Sequence, residues 1–445
     1  MNKIREIIEK EKIEFVDVLY TDLLGITRKV SFPVSYFDKF AKDGIGIDGS
    51  SVPGFKEVSE SDMRLIMDEK KFFIDPLSER KKLCIIGCLY LGREERVFED
   101  SPRYILLKAI DYLKKNNIAD NAYFLPEIEF YIFDKVEYKS ETLESFYKIE
   151  AREKFSHRGY HITSPFDKFD EFREKACHYI EKAGIRVKYH HHEVGRFCQG
   201  EIEIDFSDAL DTADNILIVK YILKKLAEKE GIFITFMPKP LHNEPGNGLH
   251  LHQFLEKEGK SIFSDPSDTL GLSKEGKHYI GGILKHARAL SAFTNPSTNS
   301  YKRLIGGFEA PSKISYSIAN RTTMIRIPGY ISKKEMRIEI RSPDATFNPY
   351  LGMAAIIMAG IDGIEKGIEP GEPITENLEK RTISPLLSLP ISLEEALIEL
   401  ERDNEFLLKG GVFNKELIHK WINLKRKETE EVEKRPHPYE FLLYF

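Results

Sequence analysis

Cysteine is scarce: the 445 residues hold Cys84, Cys88, Cys177 and Cys198, with no C-x-x-C pair among them. That argues against a disulfide framework and against a thiolate zinc site. Cys84, Cys88 and Cys177 stand among apolar neighbours and read as buried, inert thiols. No apolar run is long enough to span a bilayer; the longest, 350–361, is broken by glycines and falls short of the ~20 residues a span needs. There is no excess of positive charge either. With 66 Lys+Arg against 72 Asp+Glu the net charge is −6, which removes the general phosphate attraction of a nucleic-acid binder. The opening MNKIREIIEKEKIEF is charged throughout and has no apolar stretch, so no signal peptide is expected. The expected setting is a reducing one, the cytosol. Internal repeats and low-complexity tracts are absent as well.

What is there is a chain two or three times the length of a common domain, 41% hydrophobic, with charges of both signs evenly mixed. We expect a domain boundary near residue 100, giving units at 1–99 and 100–445. In the first, IEFVDVLY (13–20), ITRKVSFP (26–33) and KLCIIGCLYL (82–91) read as strands, and 35–42 as a short helix. The glycine-dense segment 44–54 reads as neither helix nor strand. Ser101 and Pro102 signal a helix start. Beyond it, strands are expected at 125–133, 186–192, 201–206, 232–237, 248–255 and 335–341. Helices fit 169–182, 212–229, 279–291, 351–366 and 393–408. The order is not a regular βαβ alternation, so the fold class is α+β with a large sheet and outer helices.

Two nucleotide motifs fail on context. Gly44-x-Gly46-x-x-Gly49 has a helix before it and SSVPG after it, where a dinucleotide fingerprint needs a strand before and a helix after. Gly271-x-x-x-x-Gly276-Lys277 ends in His278, where a phosphate-binding loop carries a hydroxyl, and reads as an ordinary loop.

The informative feature is charge on strand faces. Side chains two apart on a strand share a face. Glu127 and Glu129 in LPEIEFYIF therefore pair, as do Glu201, Glu203 and Asp205 in QGEIEIDF, His250 and His252 in GLHLHQF, and Arg337, Glu339 and Arg341 in EMRIEIRSPD. One such strand is an ordinary solvated sheet face. Four of them, with Glu193 from HHHEV added, would gather more carboxylates than repulsion allows without cations. Carboxylates with imidazole and no thiolate suit Mg²⁺ or Mn²⁺. Arg303, Arg321, Arg326, Arg337 and Arg341 crowd a stretch that also holds Glu309, and guanidinium groups are the usual partners of carboxylates and phosphates. A carboxylate–metal cluster beside an arginine cluster is what phosphoryl transfer needs.

The motifs IDGSSVPGF, ESDM, PEIEF, HHHEV, QGEIEIDF, FMPKP, GNGLHLH, NPSTNSYKRL, GFEAPS, NRTTMIRIP and RIEIRSPDATFNPYL, in that order, resemble glutamine synthetase of the bacterial and archaeal type I class. The resemblance implies a small N-terminal β-grasp domain and a large catalytic domain with a guanido-kinase-like sheet. It implies two stacked hexameric rings with active sites between neighbouring subunits, ATP, and two or three Mg²⁺ or Mn²⁺ ions per site. By the same resemblance Glu129, Glu193 and Glu201 would hold the metal nearer the amino acid, and Glu127, His250 and Glu339 the metal nearer ATP. Arg303, Arg341 and Gly246 would bind glutamate, and Arg321 and Arg326 the transferring phosphate. His252, Lys334 and Arg337 would face the nucleotide. Glu309 would sit on a flap over the glutamate, and Asp48 would reach in from the adjacent subunit to bind and deprotonate ammonium. The implied activity is ATP-dependent ligation of ammonia to L-glutamate through γ-glutamyl phosphate, with a small regulatory protein as a further partner.

The chain departs from the family pattern at several places. Pro245 stands where an asparagine usually contacts glutamate, Phe254 where a small hydroxyl residue is usual, and Cys198 where glycine is typical. Glu57 replaces an arginine tied to feedback inhibition in one subclass, and Glu379 replaces the tyrosine of the adenylylated subclass. The altered Pro245 loop motivates an alternative, a γ-glutamyl-amine ligase using a polyamine or ethanolamine. A catalytically dead glutamate sensor is a further alternative, against which the six retained metal positions argue. Glu203, Asp205, His190 and His191 read as structural, and Arg337 as either a nucleotide contact or a partner of Glu339.

Overall fold

The structure, a computed structural model, describes residues 1–92, 96–378 and 386–445. The amphipathic helix α1 (Asn2–Glu11) ends in a left-handed cap at Lys12 and leads into β1 (Phe15–Thr21). Asp22 accepts the Ile26 amide at 2.9 Å, closing the turn to β2 (Thr27–Pro33). After α2 (Phe37–Asp43) the glycine-dense segment contains a short strand, β3 (Ile45–Asp48), contrary to the expectation of no regular structure. It pairs antiparallel with β4 (Asp62–Ile74), a strand not foreseen because DEKK interrupts its alternation at a register shift between Met67 and Phe72. With β5 (Lys82–Leu91) these make a five-stranded sheet ordered β2-β1-β5-β4-β3, in which β1 and β5 run parallel.

The remainder begins with α3 (Pro102–Lys115); Ser101 occupies its N-cap, but its side chain does not bond to the helix. Next come β6 (Asn121–Phe133), the hairpin β7 (Lys135–Ser140) and β8 (Ser145–Glu150), and α4 (Asp170–Lys182). Strands β9 (Val187–His192), β10 (Gln199–Ile204) and β11 (Ser207–Asp208) follow, then α5 (Ala209–Lys229), β12 (Phe233–Thr235), β13 (Leu249–Lys257) and β14 (Lys260–Ser261). The helix expected over 279–291 is two helices, α6 (Lys274–Lys285) and α7 (Ala287–Thr294), parted at His286, whose ring bonds to Asp362 at 3.0 Å and Asp403 at 2.7 Å. Lys277 lies in α6 paired with Asp268, so the loop-like glycine motif is a helix start capped by Ser273. After α8 (Ser300–Arg303) come β15 (Tyr316–Ile318), β16 (Ile325–Ile327) and β17 (Ile338–Ile340), then α9 (Pro349–Lys366). The span expected as one helix over 393–408 is α10 (Leu393–Arg402) and α11 (Glu405–Leu408). Helices α12 (Lys415–Glu433) and α13 (Pro438–Tyr444) end the chain.

A ten-stranded sheet runs β15-β16-β17-β13-β6-β10-β9, with β11 and β12 on β6 and β14 on β13. One face carries the site. Helices α3, α4 and α5 pack on the sheet, and α9, buried from Pro349 to Gly363, packs among α3, α5, α6 and α7, which explains why the longest apolar run in the sequence is a core helix. The two sheets are tied through buried charge. Arg103 of α3 is bidentate to Asp214 of α5 at 3.0 Å and reaches Asp68 of β4 at 2.8 Å. Asp214 also accepts the Tyr350 hydroxyl at 2.5 Å. Among the described residues no helix is long and apolar enough to cross a membrane.

Candidate active site

Strand register assembles the cluster. Across β6 and β10, Glu129 faces Glu201 and Glu127 faces Glu203; across β6 and β13, Glu127 faces His250; across β13 and β17, His252 faces Glu339. Directly opposed residues of an antiparallel pair present their side chains on the same face. The expected grouping of charged faces therefore occurs in one place.

Glu127, His250 and Glu339 bring ligand atoms within 4.8 Å of one another, as do His191, Glu193 and Glu201. His250 Nδ1 lies 2.8 Å from Glu127 Oε2, and His252 Nε2 lies 2.8 Å from Oε1 of the same carboxylate. Burial pushes the Glu127 carboxyl up, but these two imidazoles overcome it and hold the group well below the usual range. Glu339, fully buried, is clamped by Arg341 Nη1 on Oε1 and Arg326 Nη1 on Oε2, both at 2.6 Å. Against its burial, Arg341 above all brings its pKa down to about 2. Glu193 and Glu201 go the other way. Burial raises both; Glu201 and Glu129 add to the rise at Glu193, as Glu127, Glu129 and Glu203 do at Glu201. Glu129 gives one oxygen to the Gly248 amide at 2.6 Å and stands 3.6 Å from His250 Nε2 through the other. His191 was missed as a site group; its Nε2 lies 3.3 Å from Glu201. The register opposite Glu201 was the signal that could have found it.

Arg303 is buried beside the glycine loop, donating to the carbonyls of Ser342 at 2.8 Å and Arg341 at 2.9 Å. A Cβ on Gly246 would collide with the Pro238 carbonyl and with the Arg303 stem, so only glycine fits there. Asn247 does not substitute for the amide missing at Pro245. It is fully buried, donating to the Met237 carbonyl at 2.9 Å and accepting from Gln199 at 3.1 Å. Arg321 is exposed, with its carbonyl accepting Arg341 Nε at 3.1 Å. Lys334 is exposed on the turn before β17. Arg337 lies over Phe206 at 5.5 Å and Tyr330 at 5.8 Å, while Arg326 and Arg341 take the place at Glu339 that sequence left open to Arg337. Phe254, the departure on this side, stacks on Tyr123 at 5.3 Å and meets Phe206 edge-on at 5.3 Å.

Glu309 belongs to a loop in which Gly306, Gly307, Phe308 and Glu309 all have positive φ. Lys239 lies 4.8 Å from the Phe308 ring. Asp48 lies on β3, the edge of the small sheet, and its carboxylate accepts the Ser50 amide at 2.9 Å and the Ser50 and Ser51 hydroxyls at 2.7 Å. These bonds, that of Ser51 foremost, bring its pKa down to about 2. Cys198 holds φ 59°, which accounts for the glycine usual at that place. Of the three thiols expected to be buried only Cys84 is; Cys88 and Cys177 are half-buried, and burial still pushes the Cys177 thiol up to about 12. Glu57 is exposed at the N-cap of the short 3-10 helix Val58–Glu60, and Glu379 lies outside the described residues.

With this geometry in hand, the comparisons decide the family. Residues 99–444 match the profile described as glutamine synthetase, catalytic domain, and residues 12–91 that of glutamine synthetase, beta-Grasp domain. The chain belongs to the glutamine synthetase family. It is 43% identical to the glutamine synthetase of Aquifex aeolicus over 461 residues, covering 100% of this chain and 98% of the relative. It is 41% identical to that of Mycolicibacterium smegmatis over 466 residues, covering 99% and 98%. Among solved structures, the cryoEM glutamine synthetase of Plasmodium falciparum superposes with a TM-score of 0.90 at 31% identity, covering 100% of this chain and 98% of that one. A GmaS/ADP complex superposes with a TM-score of 0.87 at 27% identity, covering 100% and 99%. The α+β reading, with its β-grasp and catalytic parts, stands.

Proposed function

We propose that the carboxylate cluster is the phosphoryl-transfer centre of a glutamate–ammonia ligase, which joins ammonia to the γ-carboxylate of L-glutamate using ATP. The observation that carries this is the register of β6, β10, β13 and β17, which sets Glu127, Glu129, Glu201, His250 and Glu339 on one face beside Arg326 and Arg341. The family is ATP-dependent and uses divalent metals. The donors fit such ions: largely buried carboxylate oxygens with His250 in one group and His191 beside the other, and two carboxyls, Glu193 and Glu201, pushed up by burial and by the carboxylates around them. On our reading Glu129, Glu193 and Glu201 hold one Mg²⁺ or Mn²⁺, and Glu127, His250 and Glu339 another. Ions held there would supply the positive charge that neutralises the phosphate oxygens of ATP.

Around them the chain's own groups divide the work. Arg303, Arg341 and the open backbone at Gly246 bind glutamate. Arg321 and Arg326 meet the phosphate in transfer, and His252, Lys334 and Arg337 face the nucleotide. The glutamate γ-carboxylate attacks the γ-phosphate of ATP, giving γ-glutamyl phosphate and ADP. Ammonia then attacks the acyl carbon and phosphate leaves. The Glu309 loop closes over the acyl phosphate and excludes water. A carboxylate with a pKa of about 2 is a good cation binder and a poor base, so Asp48, from a neighbouring subunit, binds ammonium while Glu309 takes its proton. We take the chain as two domains, 1–99 and 100–445, working in the cytosol. The assembly is a dodecamer of two hexameric rings, open to a small regulatory protein. The exposed apolar end of α13 supports such an assembly.

A second reading, γ-glutamyl-amine ligation, rests on Pro245. Phosphate release from ATP plus glutamate, with ammonium set against methylamine, ethanolamine and putrescine, separates the two. Turnover with ammonium is expected; turnover with an amine alone would overturn the first reading.

A further inference from the structure

Lys239 stands between the Pro245 loop and the loop that carries Glu309, and the chemistry above gives it no task. Its backbone is clamped by one side-chain amide: the Lys239 N–H donates to Asn299 Oδ1 at 2.7 Å, and Asn299 Nδ2 donates to the Lys239 carbonyl at 3.1 Å. Asn299 precedes α8, the helix that ends in Arg303. The Lys239 side chain is half-buried, and among the described residues no carboxylate pairs with its ammonium. Glu244 turns its carboxylate to Arg196, which meets it through the backbone amide at 3.0 Å, Nε at 2.8 Å and Nη2 at 2.5 Å. To Lys239 it offers only its main-chain carbonyl, which accepts from Nζ. Burial holds the Lys239 pKa below the usual lysine range; Glu244 opposes that fall and Arg303 adds to it.

The ammonium faces a ring instead: Nζ lies 4.8 Å from the centroid of Phe308. At that range the face of an aromatic ring attracts a cation. Phe308 is 43% exposed and belongs to the run of left-handed residues, with φ 56° beside φ 62° at Glu309. Such a conformation is unfavourable for residues with a Cβ and persists where the surroundings hold it.

We propose that Lys239 is a positioning residue, a latch that grips the 306–309 loop through the Phe308 ring and the Pro245 loop through the Glu244 carbonyl. The inference rests on the reading of the 306–309 loop as the flap over γ-glutamyl phosphate. A held flap leaves the acyl carbon to ammonia. A loosened one admits water, whose oxygen bonds to that carbon as its bond to the phosphate oxygen breaks. Glutamate and inorganic phosphate are released, the proton goes to solvent, and ATP is consumed without glutamine.

The test is the ratio of ADP to glutamine formed by the full chain at saturating ammonium, with hydrogen exchange of the 305–311 backbone amides measured without substrates. Wild type should form the two products one to one. Lys239→Met and Phe308→Leu should each raise the ratio several-fold and speed exchange in 305–311, and the double variant should be no worse than the worse single one. Lys239→Arg keeps a cation over the ring and should stay near wild type. Phe308 lies on an exposed loop, so its variant tests the contact without endangering the core. Single variants that melt lower yet keep the wild-type ratio and exchange would overturn the proposal, as would independent, additive effects of the two substitutions. If wild type forms neither glutamine nor a γ-glutamyl amine, the functional reading fails instead, and exchange alone decides whether Lys239 holds the loop.

Discussion

Arg341 and Glu339 are two residues apart in sequence and joined by a 2.6 Å bond from Nη1 to Oε1, with both side chains buried. The pair keeps Glu339 ionised despite its burial, Arg341 being the largest of the influences that bring its pKa to about 2. Arg341→Gln should therefore raise that pKa and move the acid limb of Mn²⁺ binding to higher pH. Mn²⁺ titrations at intervals from pH 4 to 8 check this; superimposable profiles would separate Arg341 from the metal group. At neutral pH the lost orientation of Glu339 should weaken affinity by roughly 10–100-fold.

The metal-free protein should lose stability as pH rises. Glu193 and Glu201 have folded pKa values above the ordinary 4.5, through burial first and repulsion from neighbouring carboxylates second. Between that value and the raised ones the folded state holds more protons than the unfolded state, so stability falls with pH across this window. Chelator-treated protein should melt progressively lower from about pH 5 upward, and saturating Mg²⁺ should flatten the trend. Glu201→Gln should melt higher than wild type without metal, yet lose most of its activity.

Helix α13 exposes its apolar residues: Phe441 is 62% and Leu442 76% exposed, and the terminal Phe445 is fully exposed. An exposed apolar patch of this kind marks an interaction surface. Deleting residues 438–445 should lower the particle mass in light scattering while leaving the far-ultraviolet circular dichroism of the remaining chain intact.

Glu57 places a negative charge where an arginine would attract a carboxylate. Glutamine at saturating glutamate should inhibit wild type weakly and Glu57→Arg more strongly. Strong inhibition of wild type, unchanged in Glu57→Arg, would show that position 57 is not the switch.

The charged cluster was legible because strand alternation is a local property: Glu127/Glu129 and His250/His252 declare their shared faces without reference to anything distant. What alternation cannot give is which strands are neighbours, and so the meeting of His191 with Glu201 and of Glu203 with Glu127 is visible only in the register. Strand β4 was hidden by a bulge that breaks its period at charged residues. The break between α6 and α7 depends on His286 meeting Asp362 and Asp403, 76 and 117 residues away in sequence. Helix α12 carries its own signal, since Leu417, Ile418, Trp421, Ile422 and Lys425 bury at helical spacing behind an Asn414 cap.

Strand β6 is one unbroken stretch of 13 residues, paired along its length with β10, β11, β12 and β13. Glu127 and Glu129 hang from it two residues apart, a rise of roughly 6.8 Å set by extended backbone geometry. The distance between the two halves of the site is thus a ruler built into covalent structure, and no loop movement can stretch it. Loops such as the Pro245 segment and the 306–309 loop can diverge in sequence and shape, while the spacing of the charges on β6 stays fixed.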